Sequence, residues 1–165
     1  SGIVFQTIRE SKALAYSTYA QYGTAFKKGE PNLIRAYVGC QSDKMNDAIK
    51  GMQELLDSLP YSEKFFEVSK TALKNNFATS RIIKQQLLFS FLDAQRHGIN
   101  YDIREKTYKM LDKMTFSDIN AFHKSMLSRK PYSLNIIGDE KRIDIAGLNK
   151  YGKVNKYTLQ QIFGY

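Results

Sequence analysis

Ile8-Arg9-Glu10-Ser11-Lys12-Ala13-Leu14-Ala15-Tyr16-Ser17 is the stretch that decides the fold predicted for this chain. Residues 2–12 offer an apolar face at helical spacing and predict a short helix. The residues from Tyr16 onward are rich in Tyr, Ser, Thr and Ala and predict an extended strand. A helix is therefore expected to run straight into a strand, with Arg9 and Tyr16 seven positions apart across the junction.

A β-hairpin is predicted to follow this junction. Its strands cover residues 16–26 and 33–41, and the loop of about six residues between them contains a glycine and a proline. A third strand is predicted at residues 132–137, where polar and apolar residues alternate, and a fourth near residues 154–157.

The middle of the chain is predicted to be helical because apolar residues recur there every three or four positions. The candidates for helix N-caps are Ser42 with Asp43, then Ser62, and finally Thr115, which forms a capping box with Asp118. The predicted helices cover about residues 45–59, 62–76, 80–96, 103–113 and 117–127, and a short one covers 143–150, before a tail at 159–165.

These elements predict an α+β fold, with residues 1–165 forming a single domain. The expected architecture has two layers, a mainly antiparallel or mixed sheet and helices that cover one of its faces. Three or four strands make a narrow sheet for so much helix. We therefore expect further strands upstream of Ser1, without which a sheet edge would stay unpaired.

The composition is that of a globular protein, with 42% hydrophobic and 13% aromatic residues. No apolar run approaches the ~18 residues of a membrane helix, and residues 1–5 have no signal-peptide pattern. The net charge of +9 is dispersed along the chain, and no known nucleic-acid-binding motif is present. The single cysteine, Cys40, cannot form an internal disulfide, so the cellular compartment stays undetermined.

The side chains most often used in catalysis do not form a complete set in this sequence. His97 and His123 do not belong to an H-x-x-E-H or H-E-x-x-H pattern. His97 is interpreted as a cap at a helix end, His123 as a surface or boundary residue, and Cys40 as a small buried residue. No G-x-S-x-G elbow and no phosphate-binding loop is present. No metal site is predicted in this chain.

Arg9 and Tyr16 remain as candidates. A guanidinium on a helix end can hold a peptide carbonyl or carboxylate in a fixed geometry. A tyrosine hydroxyl beyond it can donate to the oxyanion that forms when water attacks a peptide carbonyl. The alternative is that Arg9 pairs with Glu10 or another surface acid, while Tyr16 packs at the rim of the sheet.

Residues 3–17 resemble a segment of the type s-x-L-F-x-x-I-R-E-x-x-G-L-A-Y-S in the pitrilysin/insulinase family of zinc peptidases, specifically in its C-terminal, non-zinc-binding domain. Ala13 stands where that segment usually has glycine. Residues 34–40 and 132–139 are similar to two further strands of that domain, so the resemblance covers nearly the whole chain.

The resemblance implies a role for each of the two candidate residues. Arg9 would bind the substrate backbone, and Tyr16 would stabilise the tetrahedral intermediate, with the strand at 16–22 facing the cleft. The catalytic zinc would lie in an N-terminal domain of the same polypeptide or in a partner subunit, so this chain would contain no cofactor. Residues 1–165 would then be a C-terminal fragment of a pitrilysin-like half-domain, inactive alone, whose partners are the zinc-binding domain and a peptide substrate.

Two other functions are compatible with the sequence. The chain could be a catalytically inactive scaffold or peptide-binding subunit of the same fold, and the presence or absence of H-x-x-E-H in the upstream polypeptide would discriminate the two. A binder of nucleic acid or of an anionic surface is suggested by the charge of +9 and the 11 tyrosines. The missing binding motifs argue against nucleic acid as a partner.

Overall fold

The structure of the chain, a computed structural model, describes residues 2–164. It has the predicted α+β fold, but its sheet has two antiparallel strands rather than the three or four expected. The elements are a π-helix at Phe5–Ser11, strands β1 (Ser17–Gly23) and β2 (Leu33–Gly39), and helices α1 (Met45–Asp57), α2 (Glu63–Thr79), α3 (Lys84–Arg96), α4 (Ile103–Leu111), α5 (Phe116–Met126), α6 (Ile145–Leu148) and α7 (Leu159–Phe163).

Strands β1 and β2 form the predicted hairpin. Their register pairs Ser17 with Gly39 at one end and Gly23 with Leu33 at the other. The connecting loop covers nine residues, 24–32, rather than six, because β1 ends at Gly23 instead of running to residue 26. The amide of Ala25 donates to Oδ1 of Asn32 at 2.8 Å, so a side chain replaces the ladder bond at the end of the strands.

The core lies where the π-helix, β2 and α1 meet. Its buried side chains are Ile8, Met52 and Leu55, and Val38 of β2 packs against them. Helix α1 fits this site because its apolar residues recur at steps of three and four and form one stripe. A Cβ on Gly51 of α1 would lie 3.0 Å from Cδ1 of Ile8, so a glycine lets the two helices approach closely.

The remaining long helices are joined mainly through aromatic and charged side chains. Helix α2 packs on α4 through the rings of Phe77 and Tyr108, which are 6.4 Å apart, and on α5 through Phe66 and Phe116. Nζ of Lys70 on α2 donates to the carbonyl of residue 114 at 3.1 Å. No residue of α2 is buried, so this packing excludes water less completely than the packing around α1.

The structure confirms two of the three predicted N-caps. Ser62 accepts a hydrogen bond from the amide of Phe65, and Thr115 and Asp118 form the capping box of α5. The prediction for Ser42 and Asp43 was wrong, because these residues form a short 3₁₀ turn, Ser42–Lys44, ahead of α1. Neither this turn nor α1 has a side-chain cap. The 3₁₀ turn leads directly into the first turn of α1 instead.

His123 is buried, which corrects its interpretation as a surface or boundary residue. Its Nε2 lies 3.3 Å from the carbonyl oxygen of Leu55, in the last turn of α1. Two neighbouring donors reach the same helix end: Oγ of Ser128 bonds the carbonyl of Asp57, and the amide of Arg129 bonds its Oδ1. The final carbonyls of a helix have no partner within the helix, and His123 and Ser128 supply hydrogen-bond partners for two of them.

Helix α3 is attached to the rest of the chain at its C-terminal end. The amide of Lys28 in the hairpin loop donates to the carbonyl of Arg96 at 2.9 Å. His97 caps this helix end, as predicted, and its two ring nitrogens lie 2.8 Å from the carbonyl oxygen of Asp93 and 2.9 Å from that of Ala25. None of the residues of α3 is buried.

Two predicted strands are absent. Within residues 2–164 only β1 and β2 pair, and residues 132–137 and 154–157 are irregular. A β-rich sequence becomes a strand only when a neighbour takes up its backbone hydrogen bonds, and neither segment has one here. The predicted tail contains helix α7, while Ser1 and Tyr165 lie outside the described residues.

The chain exposes far more surface than a compact protein of its size. Its accessible surface is 13001 Å² at a mass of 19.0 kDa, whereas a compact monomer of this mass exposes about 8,400 Å². The exposed side chains include large apolar residues such as Leu88, Phe89 and Ile137. In the described part of the chain, no helix combines the length and the apolar character needed to span a bilayer.

Candidate functional site

The candidate site begins where the π-helix ends. The amide of Lys12 bonds the carbonyl of Thr7 at 3.1 Å, and the amide of Leu14 bonds that of Ile8 at 3.0 Å. Between them Ala13 has φ 49°, in the left-handed region that residues with a Cβ adopt at a cost of about 1–2 kcal/mol. This conformation turns the chain from the helix toward β1. The backbone of Ala13 therefore sets the direction in which the chain reaches Tyr16.

Tyr16 lies directly before β1 and is held through its backbone. Its amide donates to the carbonyl of Gly39 at 3.0 Å, while its side chain is 67% exposed. A Cβ on Gly39 would lie 2.9 Å from Cε2 of Tyr16 and 2.9 Å from Oη of Tyr37. The glycine therefore provides the space in which these two tyrosine side chains approach each other.

The hairpin register extends this arrangement into a surface. Side chains alternate between the two faces of a strand, and cross-strand partners share a face. Tyr19 pairs with Tyr37, and their rings stack with centroids 5.3 Å apart and planes 22° apart. The next pair on this side is Gln21 with Arg35. We name this surface the tyrosine face: it consists of Tyr16, Tyr19, Tyr37, Gln21 and Arg35, all of which are exposed.

The opposite face of the hairpin is the one that meets the helices. Thr18 on this face is buried, and Val38 packs against the core beside Met52 and Leu55. Farther along the hairpin, the ring of Tyr22 meets that of Phe122 on α5 edge to face at 5.9 Å. These contacts with the helices all lie on the face opposite to the tyrosine face.

Arg9 is exposed at the end of the π-helix. Its guanidinium lies 4.8 Å from the centre of the Phe5 ring, and its Nε is 3.8 Å from Oε1 of Glu10. This is the pairing that the sequence offered as the alternative to a role in substrate binding. An exposed ion pair of this kind contributes about 0–1 kcal/mol, so little energy is needed to release Arg9 toward a ligand. Its joint action with Tyr16 stays a prediction.

The cysteine and the two histidines that the sequence analysis considered do not belong to the tyrosine face. Cys40 is partly exposed, and its pKa is raised by burial and by the nearby carboxylate of Asp43, which disfavours the reactive thiolate. His97 and His123 both serve helix ends. Among residues 2–164, no three His, Cys, Asp or Glu side chains come together as metal ligands.

Tyr37, Arg35 and Gly39 were not identified as functional candidates from the sequence. The register of the hairpin groups Gly39, Tyr37 and Arg35 on one face of β2. Alternation alone would put Tyr16 on the other face, because Gly39 pairs with Ser17, so the position of the Tyr16 ring against Gly39 is known only from the structure. The prediction weighed Tyr16 with its neighbours in sequence, whereas the structure adds its neighbours across the sheet.

Comparisons of this chain with protein-family models and with curated proteins give no match.

Proposed function

We propose that this chain is the substrate-binding, metal-free half of a two-domain zinc peptidase of the pitrilysin/insulinase type. In this proposal Tyr16 stabilises the oxyanion and Arg9 holds the substrate backbone. The catalytic zinc would be bound by an N-terminal domain of the same polypeptide or by a partner subunit. The chain alone would be inactive, and its domain would be a pitrilysin-like half-domain that lacks its upstream strands.

The backbone at Ala13 is the observation that carries the proposal. The segment that residues 3–17 resemble has glycine at this position, and φ of Ala13 is 49°, in the region that glycine enters most easily. This backbone conformation supports the proposal, because it is one that a glycine at position 13 would adopt more easily than alanine. The same turn leads to Tyr16, which lies directly before β1.

The chemistry assigned to Tyr16 is electrostatic. When water adds to a peptide carbonyl, the carbonyl oxygen becomes an oxyanion, and the exposed Oη of Tyr16 can donate a hydrogen bond to it. The amide of Tyr16 donates a hydrogen bond to the carbonyl of Gly39, so the backbone from which the hydroxyl projects is held in place. The attacking water would be activated by the zinc-binding domain.

The exposed surface supports the need for that domain. An accessible surface of 13001 Å², about one and a half times that of a compact monomer, includes apolar side chains that association would remove from water. Both strands of the sheet also have one edge without a neighbour within residues 2–164. A partner that adds strands and covers apolar side chains would complete this half.

The first experiment compares the isolated chain with the chain joined to its zinc-binding domain, using fluorogenic peptides. We expect no turnover from the isolated chain and zinc-dependent turnover from the assembly. In the assembly, Arg9→Ala should raise KM several-fold through lost backbone contacts, while Arg81→Ala, which changes another exposed arginine, leaves KM unchanged. An Arg9→Ala enzyme with unaltered KM and kcat would contradict the assignment of Arg9.

An inactive scaffold or peptide-binding subunit of the same fold is the second candidate. The contacts of Arg9 are equally compatible with it, because the guanidinium lies over the Phe5 ring and near Glu10 without any substrate. The upstream polypeptide discriminates the two functions. An H-x-x-E-H motif followed by a downstream glutamate supports the peptidase, and an upstream domain without this motif supports the scaffold.

A further inference from the structure

One end of the tyrosine face is formed by the cation of Arg35. Arg35 is exposed, and no ion pair engages it within residues 2–164. Its cross-strand neighbour on the same face is Gln21, which carries no charge. Glu30 borders the same groove, and its carboxylate lies 3.6 Å from Nζ of Lys27 rather than against Arg35. Arg35 is therefore available to an anionic group from outside the chain.

The surroundings of Arg35 suit a side chain of an extended peptide. Arg35 and Gln21 line a groove of about 580 Å³ at the tip of the hairpin, together with Phe26 and Leu33. The stacked rings of Tyr19 and Tyr37 lie between this groove and Tyr16. Aromatic rings offer flat, apolar surface to a peptide chain, and a guanidinium offers paired donors to a carboxylate.

We propose that the tyrosine face binds an extended peptide and that Arg35 selects an aspartate or glutamate side chain in it. This rests on the proposed function and adds a substrate class to it. Arg35 is four residues from Gly39 along β2, about 13 Å at the rise of a strand. An extended peptide that follows the strand has the same rise, so the selected acid is about four residues from the peptide residue at Tyr16.

The test uses the full chain and fluorescein-labelled ten-residue peptides, with binding followed by fluorescence anisotropy. One peptide carries a glutamate four residues from a central phenylalanine, and positional isomers carry the same glutamate one or two residues from it. Because all isomers have the same net charge, the general attraction of a chain of charge +9 is the same for each. Both chain directions are covered by placing the glutamate on either side of the phenylalanine.

We expect the isomer with a spacing of four to bind about tenfold more tightly than the others, the effect of one charge-assisted contact. Arg35→Gln should remove this preference, while Arg81→Gln, at an exposed arginine that does not belong to the hairpin, should leave it intact. Circular dichroism of both variants confirms that they fold. Equal binding of all isomers, a preference that persists in Arg35→Gln, or no binding of any peptide would overturn the inference.

This outcome is separable from that of the proposed function. A positional preference that depends on Arg35 establishes the acid-selecting site whether or not the assembled protein hydrolyses peptides. Conversely, an active enzyme that shows no such preference retains the peptidase function and loses only the role of Arg35.

Discussion

Helices α1 and α3 have the same length, 13 residues, and both carry several large apolar side chains, yet they occupy opposite environments. Five residues of α1 are buried, and its stripe meets Ile8 of the π-helix. No residue of α3 is buried, and Leu88, for example, is 58% exposed. An apolar pattern thus predicts a helix but does not determine what covers it.

The difference between the two helices shows which part of the chain buries its own apolar side chains. The π-helix, the hairpin and α1 form the part that buries its own apolar residues and presents Tyr16. Helix α3 is attached through the hairpin loop at Arg96 and His97, and its apolar side chains remain in water. The candidate site therefore belongs to the part of the chain that has its own buried core.

The largest expected effect contrasts a core side chain with an α3 side chain. Ile8 is fully buried, so Ile8→Ala removes apolar contacts and leaves a cavity, at a cost of about 2–5 kcal/mol in the free energy of unfolding. Leu88→Ala should cost about 0.5 kcal/mol or less, since the side chain is already in water. Urea denaturation measures both variants. Similar losses for the two would erase the contrast between the helices.

A smaller change sharpens the description of the junction that precedes the hairpin. Ala13→Gly should stabilise the chain by about 0.5 kcal/mol, because relief of the Cβ penalty at φ 49° outweighs the added freedom of the unfolded chain. Ala20→Gly in β1 is the control with the opposite sign, and it should destabilise by about 0.5–1 kcal/mol through added freedom of the unfolded chain. A loss of stability in Ala13→Gly would show that the left-handed turn is not a source of strain.

The smallest effect concerns the attachment of α3. The carbonyls of Asp93 and Ala25 raise the pKa of His97, because both accept hydrogen bonds from the protonated ring. A raised folded-state pKa gives stability that is fully present below the unfolded pKa of about 6.5 and is lost as pH rises through the folded value.

The measurement for His97 is urea denaturation of the chain and of His97→Gln at several pH values. The stability difference between them should be larger at about pH 5 than at about pH 9, on either side of the titration. Taking the difference removes the contributions of carboxylates such as Asp112 and Asp118, whose pKa values are lowered in the fold. A difference that grows with pH would contradict the arrangement described at the end of α3.

The sequence predicted the local features of this fold better than the distant ones. Ser62, Thr115 and His97 act at the helix ends where they were expected, because capping depends on residues three or four positions away. The strand expected at 132–137 depends on a pairing partner, and the burial of His123 depends on where α1 ends in space. Neither the pairing partner nor the position of the end of α1 can be predicted from residues that are close in sequence.

The candidate site was predicted in the same partial way. Tyr16 was found because its motif is contiguous, and the structure gives it an exposed side chain and a fixed backbone. Tyr37 and Arg35 joined the site only through the register of the hairpin. Arg9 could be placed on the helix end, but its contacts with Phe5 and Glu10 depend on rotamers that a sequence does not specify.

The turnover number of Tyr16→Phe, in the chain assembled with its zinc-binding domain, tests the central claim most directly. Removing one oxyanion donor should lower kcat by about 10²–10³-fold with little change in folding. Tyr157→Phe is the matched control, since both tyrosine side chains are 67% exposed, and it should keep full kcat. Full kcat in Tyr16→Phe would contradict the account, because the hydroxyl would then have no part in the reaction.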